Sequence, residues 1–386
     1  MVFMNLLKRT KKGEDGRCTA VTLGRQSRGG LEALSRPLPL GRCELELYDA
    51  LRTSVPIIDA AICKLVRLVG GLQVECDDPR AQIRLERFLR EVKVGPASYG
   101  ISAFLSAYFD DLLTYGTALG EIVPTADRSG IGALYNANLY DLEIEAGSNP
   151  LDTAIFVKNI GGRTPVRDKS LILMSALNPS AGQVSGNSLL KGLPFVSSIL
   201  MKIFNTVGVN WERLGNVRFA VTCKQDGDAF DRVGAGRRAE EIATAWQNAM
   251  SDSGEVRDFV AVGDVEIKVI GADNPVLDSE VPVRQLLEQI VAKLGLPPFM
   301  LGLSWSSTER MSSQQADILT SELEYYRSLL EPVVLKICRT WMTLNGFSSG
   351  FHVVWNDINL QDEVEEAKAE LYRAQARQIL AGLEKK

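Results

Sequence analysis

The spacing of the apolar residues changes along this chain, and that change limits what it can fold into more than any other feature. From Tyr48, the residues Leu51, Val55, Ile58, Ile62, Leu65, Val66 and Val69 recur every three or four positions. This predicts one amphipathic helix, stopped by Gly70 and Gly71. A strand follows at Leu72 to Cys76, and Asp77-Asp78-Pro79 opens a second helix through Ile83, Leu85, Phe88, Leu89 and Val92. A third runs from Ile101 to Thr114 and ends at Gly116. Between Gly120 and Ser175 the period falls to two, in the runs at 121–123, 142–145, 155–157 and 171–174, which predicts a small sheet packed on the helices.

Helical spacing returns from Leu189 to about Leu214, with Pro194 in the first turn. It gives way to a second β-containing insert from Val217 to Ile270. That insert holds a strand at 217–221, a helix at 239–250, and a strand pair at 259–262 and 265–269 turning at Gly263-Asp264. A further helix, Val283 to Leu294, breaks at Gly295-Leu296-Pro297-Pro298. After a Ser-rich loop at 303–313 comes the strongest helical pattern: Ala316, Leu319, Leu323, Tyr326, Leu330, Val334, Ile337 and Trp341. Pro332 sits in its middle, where a proline costs about 3 kcal/mol unless packing offsets the kink. The segment 351–355 alternates as a strand, and the tail at 362–383 is charged and helical. The whole reads as an α+β chain of 386 residues, long enough for two or three packed units.

Several chemistries find no footing. The six cysteines, Cys18, Cys43, Cys63, Cys76, Cys223 and Cys338, form no C-x-x-C pair, and several lie in apolar patterns, so reduced packing residues are expected. His352 is the single histidine, which excludes zinc sites built on two imidazoles and iron facial triads. Gly186 to Lys191 lacks the second glycine and the Ser/Thr of a phosphate-cradling loop. In Gly182 to Gly186 the serine comes one place late for a nucleophile elbow. The carboxylate pairs Asp77-Asp78, Asp110-Asp111, Glu240-Glu241 and Glu365-Glu366 fall at helix ends or on polar faces. No catalytic residue, cofactor or metal is expected.

The most apolar stretch, Ser54 to Val74, contains Asp59, Lys64 and Arg67 and does not read as a membrane span. A cytoplasmic chain is the expectation, with no secretory signal in Met1 to Leu7. The net charge of -5 argues against a protein that wraps nucleic acid tightly. Positive charge gathers in the first 43 residues, at Lys8, Arg9, Lys11, Lys12, Arg17, Arg25, Arg28 and Arg36, as a flexible tail or an arm touching nucleic acid or a neighbour.

Tyr48-Asp49-Ala50-Leu51-Arg52 opens a helix, the segment 112–122, with Tyr115-Gly116-Thr117-Ala118, makes a helix-to-strand junction, and Gly186-Asn187-Ser188-Leu189-Leu190 enters a long helix. The most specific piece is Leu294-Gly295-Leu296-Pro297-Pro298-Phe299-Met300-Leu301-Gly302, and Leu330-Glu331-Pro332 follows in the next helix. In this order the pieces resemble the portal proteins of long-tailed bacteriophages. The first three are similar to the family's opening helix, its helix-to-strand junction and its entry into a long helix, and the run from Leu294 to Gly302 resembles the portal signature. The likeness runs from Tyr48 to Phe347 in the family's order, and it is loose from Asp357 to Glu366.

The resemblance implies a portal-type fold with an α/β wing, a two-helix stem, a small β-containing clip, a long kinked helix and a C-terminal helical crown. On this sequence the tail takes 1–43, the wing 44–188, the stem helices 189–214 and 275–298, and the clip 215–274. The tunnel loop takes 299–313, the kinked helix 314–347 and the crown 348–386. It implies a homo-oligomeric ring, a dodecamer, carrying double-stranded DNA in packaging and ejection. Ser304, Trp305, Ser306, Ser307, Thr308 and Arg310 would line the channel. Arg218, Lys224, Asp226, Asp228, Asp231 and Arg232 would form the clip surface for the large terminase and later head-completion or adaptor proteins. Pro332 would mark the bend, the major capsid protein would be a further partner, and no membrane is involved. The expected location is the virion portal vertex, with assembly in the host cytoplasm. A head or tail structural protein without a channel, or a phage-encoded hydrolase, are the alternatives.

Overall fold

The computed structural model describes residues 42–149, 152–215, 218–223, 265–270, 279–303 and 309–358, with isolated positions at 240, 244, 372, 374, 375 and 377. Where one opening helix was expected there are two, α1 (Arg42–Ser54) and α2 (Pro56–Leu68). Pro56 is the reason. It lacks an N–H and drives the preceding residue out of helical geometry, and Val55 accordingly sits at φ -122°, ψ 89°. The apolar period continues across the break because both helices turn the same side inward: Leu51, Ile58, Ile62 and Leu65 are all buried.

Strand β1 (Leu72–Cys76) leads to α3 (Pro79–Glu91), whose first turn is capped by the Asp78 carboxylate accepting from the Arg80 N–H at 2.8 Å. Helix α4 (Ile101–Tyr115) is the centre of the core. Phe104, Tyr108, Phe109, Leu112 and Leu113 on it are essentially inaccessible to solvent. Each such side chain contributes about 1.5–3 kcal/mol by leaving water.

The expected single sheet is two. Strands β2 (Thr117–Pro124), β3 (Ile131–Asn136) and β7 (Ile172–Ala176) make one, ordered β3-β2-β7. Strands β4 (Leu142–Ala146), β5 (Thr153–Asn159) and β6 (Gly162–Pro165) make the other, ordered β4-β5-β6. All pairings are antiparallel. The second sheet covers a satellite core of Leu45, Leu119, Leu139 and Ile155.

Helix α5 (Leu193–Gly215) packs against α6 (Glu280–Leu294). Between them, β8 (Arg218–Cys223) pairs antiparallel with β9 (Val265–Ile270), Arg218 opposite Ile270. Of the hairpin expected at Gly263-Asp264, the strand at 259–262 and the turn lie outside the described residues, and the described partner of β9 is β8. The expected helices at 239–250 and 362–383 also lie outside, apart from isolated positions.

Helix α7 (Glu309–Leu344) packs against α3 and β7, with Leu319, Leu323, Tyr326, Leu330, Val334 and Ile337 buried along its length. Strand β10 (Phe351–Trp355) then returns to pair with β1, Leu72 opposite Trp355. The described fold is α+β, with one main core shared by α1 to α4, α7 and the bases of α5 and α6.

Candidate subunit interface

Two glycines set the base of the α5–α6 pair. At Gly116, which caps α4 in a left-handed conformation (φ 78°), a Cβ would lie 2.4 Å from the Asn187 carbonyl carbon. At Gly186 a Cβ would lie 2.0 Å from the Gly116 oxygen. The two backbones therefore touch where no side chain fits. The contact is stitched by hydrogen bonds. The Leu177 N–H donates to the Gly116 carbonyl at 2.7 Å, the Gly186 N–H to Thr117 Oγ1 at 2.9 Å, and the Ser188 hydroxyl to the Thr114 carbonyl at 2.6 Å. Two segments some seventy positions apart, each matching a separate piece of the sequence resemblance, thus form one joint that carries the chain into α5.

The third piece shapes the exit from α6. Gly295 (φ 71°) ends that helix in a left-handed cap, with its N–H on the Val291 carbonyl at 3.1 Å. Leu296 drops into the core, Pro298–Leu301 forms a short 3-10 turn, and Gly302 (φ 76°) closes it. Neither glycine is crowded, so each is required by its backbone angle alone.

Above this base, α5 leaves the core. Leu193, Ser197 and Leu200 are buried, and beyond them the helix buries no further residue among those described. Its free flank is apolar: Met201, Phe204 and Trp211 are 42%, 48% and 69% exposed. With Gly208 they follow a three-four-three spacing, the seam pattern by which one helix packs along another. Lys202, Asn205 and Glu212 border the stripe with polar groups.

A polar network braces the core on the side of α1. Arg52 donates to Asp59 Oδ1 at 2.8 Å, to both Asp110 oxygens, and to Thr114 Oγ1 at 2.9 Å, joining α1, α2 and α4. Burial works against the Arg52 charge, and Asp110 and Asp59 more than offset it. Asp49 accepts from the Tyr115 hydroxyl at 2.6 Å and from the Tyr140 hydroxyl. Asp111 is pushed up to about 7, chiefly by burial and then by the neighbouring Asp110 charge. A cleft of about 630 Å³ opens here beside Asp49, Arg52, Pro56 and Asp59.

On the far side, buried Arg327 donates to the Val69 carbonyl at 2.9 and 2.7 Å and to the Asn356 carbonyl at 2.6 Å, and lies over the Trp355 ring. It ties the end of α2 to the end of β10. It stands four residues after Leu323 and seven before Val334, at the edge of the apolar stripe of α7. His352 is exposed on β10 beside Glu75 at 3.0 Å. Among the described residues, no three His, Cys, Asp or Glu side chains gather as a metal-ligand group, and no helix is long and apolar enough to cross a membrane.

Of the residues singled out from the sequence, Ser304, Trp305, Ser306, Ser307 and Thr308 lie outside the described residues, as do Lys224, Asp226, Asp228, Asp231 and Arg232. Arg310 falls in the first turn of α7 and Arg218 opens β8. Pro332 lies inside α7, which continues through it. The Met201–Trp211 stripe, Arg327 and the Gly116–Gly186 contact were not anticipated from sequence. The available signals were the stripe's three-four-three spacing, the register of Arg327 with Leu323 and Val334, and the place of both glycines in the resemblance.

No protein-family model and no curated protein matches the sequence. Solved structures do. A chain of the virion of a native gene transfer agent particle superimposes with a TM-score of 0.58 at 14% identity, over 90% of this chain and 92% of that one. The fold is that of a gene transfer agent particle chain. A chain from the neck of the native gene transfer agent particle, computed with C12 symmetry, gives the same TM-score of 0.58 at 12% identity, over 89% of this chain and 92% of that one. The crystal structure of an HK97-family phage portal protein from Corynebacterium diphtheriae is matched at a TM-score of 0.41 and 13% identity, over 76% of this chain and 90% of that one. The gene transfer agent likeness takes in nearly the whole length of both chains.

Proposed function

We propose that this chain is a portal-type subunit. Copies of it close into a ring at one vertex of a capsid, and double-stranded DNA enters and leaves through the hole. The observation that carries the reading is the apolar stripe of α5. Met201, Phe204 and Trp211 are held out from the core on a helix whose other flank is occupied by α6, so they need a partner outside the subunit. A neighbouring copy supplies one at every position of a ring and leaves no stripe uncovered, because a heterologous contact that closes repeats without a free end. The likeness in fold to a chain from a neck with C12 symmetry supports this geometry. Twelve subunits is the number we adopt.

In this reading residues 44–188 are the wing, α5 and α6 the stem, 215–274 the clip, 314–347 the bent helix and 348–386 the crown. The segment after Gly302 faces the channel, where Ser304, Ser306, Ser307 and Thr308 offer weak contacts blind to sequence, with Trp305 and Arg310 beside them. Such a lining suits a conduit, since a cationic one would hold the duplex by counterion release and resist sliding. Arg218, Lys224, Asp226, Asp228, Asp231 and Arg232 are the proposed docking surface for the large terminase and then for head-completion proteins, and the wing is the proposed contact with the major capsid protein.

The test is the purified chain in mass photometry and negative stain. The expected result is a ring with a central hole and a mass about twelve times the 42.3 kDa subunit. A chain that remains monomeric at every concentration and salt, or that forms rods or closed shells, overturns the reading.

A further inference from the structure

Helix α3 presents a second face without a partner, of opposite chemistry to the α5 stripe. Arg80, Arg84, Arg87 and Arg90 are all exposed on it, within an arc of about 120° at 3.6 residues per turn. Lys93 follows just past its end and is exposed too. Arg84 is engaged, donating to Asn345 Oδ1 at 2.9 Å and lying over the Phe347 ring. Arg80, Arg87 and Arg90 have no carboxylate partner among the described residues. Glu86 and Arg90, and Arg87 and Glu91, are spaced for ion pairs that do not form, and Glu86 instead accepts from Gln82. Four arginines against two glutamates make this helix a basic ridge on a chain of net charge -5.

We propose that this face of α3 lies against the phosphate backbone of double-stranded DNA. The proposal rests on the ring reading; because α3 belongs to the proposed wing and not to the proposed channel lining, the duplex meant is DNA packed beside the ring, where a firm hold does not oppose sliding through it. The guanidinium fork matches phosphate oxygens in pairs, and unpaired forks have no ion pair to break first. From Arg80 to Arg90 the row is about 15 Å long, at 1.5 Å per residue. One DNA strand presents a phosphate about every 3.4 Å of axis, so the row spans several. The row is also rigid. Ala81, Leu85 and Leu89 bury the opposite face against β1 and α7, and the Phe88 ring stacks on Trp341 at 5.8 Å. The side chains offered are arginines around the exposed Ile83, with no amide to read a base edge, so the contact is blind to sequence.

The experiment titrates the full-length protein into a fluorescein-labelled 30-base-pair duplex and reads anisotropy from 50 to 200 mM NaCl, for the native chain and for R80Q/R87Q/R90Q. The basic N-terminal stretch is common to both and cancels. We expect the variant to bind at least tenfold more weakly at 50 mM. The slope of log K against log salt should fall in magnitude by about 2 to 3, at roughly 0.9 for each phosphate no longer neutralised. Equal affinity and equal slope overturn the proposal. So does a variant that keeps DNA binding while losing a fluorescein-labelled oligoglutamate peptide, which would make the occupant an acidic protein segment. Mass photometry of both proteins separates this outcome from the ring reading. A chain that never assembles sinks the ring, while the anisotropy difference still decides the ridge.

Discussion

Helices α5 and α7 are the two longest in the described structure, and they solve the same problem differently. In α7 the apolar positions from Leu319 to Trp341 all find partners within the subunit. In α5 only the first turns are buried; beyond them Ile203 and Val207 are half-covered, and Met201, Phe204, Val209 and Trp211 are left in water. Both read as amphipathic in sequence. The contrast teaches that an apolar stripe states a need for a partner without saying which chain provides it, and here the answer divides at about Leu200.

That division predicts how substitutions on its two sides behave. The largest effect belongs to the joint at the foot of α5. Gly186→Ala puts a methyl 2.0 Å from the Gly116 oxygen, so a loss of more than about 4 kcal/mol in chemical denaturation, or failure to fold, is expected. A near-native melting curve would mean that the joint yields. Next is Leu323→Ala on α7, fully buried, expected to cost about 2–5 kcal/mol in the same measurement.

Asp111→Asn acts in the other direction and depends on pH. With its carboxyl lifted from 3.8 to about 7, the folded protein holds this proton more tightly than the unfolded chain does. Stability contributed by this group is therefore full below about pH 4 and lost as pH rises through 7. The asparagine variant should gain about 1–2 kcal/mol over the native chain at pH 8 and little at pH 4. Equal gains at both pH values would locate the effect in packing instead.

The smallest effect on the subunit is expected from Phe204→Ser with Trp211→Ser. Denaturation should move by no more than about 0.5 kcal/mol per site, while sedimentation shows the assembly gone. Were the subunit itself to unfold, these side chains would have a partner within the chain and the contrast with α7 would collapse.

Much of the framework could be read from the chain. The period changes located α3, α4, α6, α7 and the strands β1, β4, β5 and β7, because each buries one regular face. Pro56 was overlooked, since the apolar period runs on across the break it makes. Strand β3 carries Gly132 and no clean alternation, and β6 is wholly exposed, so neither had a pattern to read. β2 is buried on both faces in its first half, from Thr117 to Gly120, which hid its start. The β1–β10 pairing joins residues nearly three hundred positions apart, a distance over which local spacing carries no signal.

The candidate site was legible only in part. Glycines 116, 186, 295 and 302 stood out as pieces of a resemblance, whereas their purpose, two backbones touching and two left-handed turns, appears only in three dimensions. The spacing of Arg327 to Leu323 and Val334 puts it beside the apolar stripe, but its partners could not be read, because they are main-chain carbonyls of segments distant in sequence.

The bare contact between Gly116 and Gly186 has one more consequence. Because nothing compressible lies between the two strands of backbone, the tilt at which α5 departs is fixed by hard atoms and not by adaptable side chains. In a cyclic arrangement every copy repeats that tilt, and a small deviation adds up around the circle until the last copy misses the first or the assembly winds into a spiral. The joint would then act as the protractor of the whole particle, setting circumference from inside a single subunit.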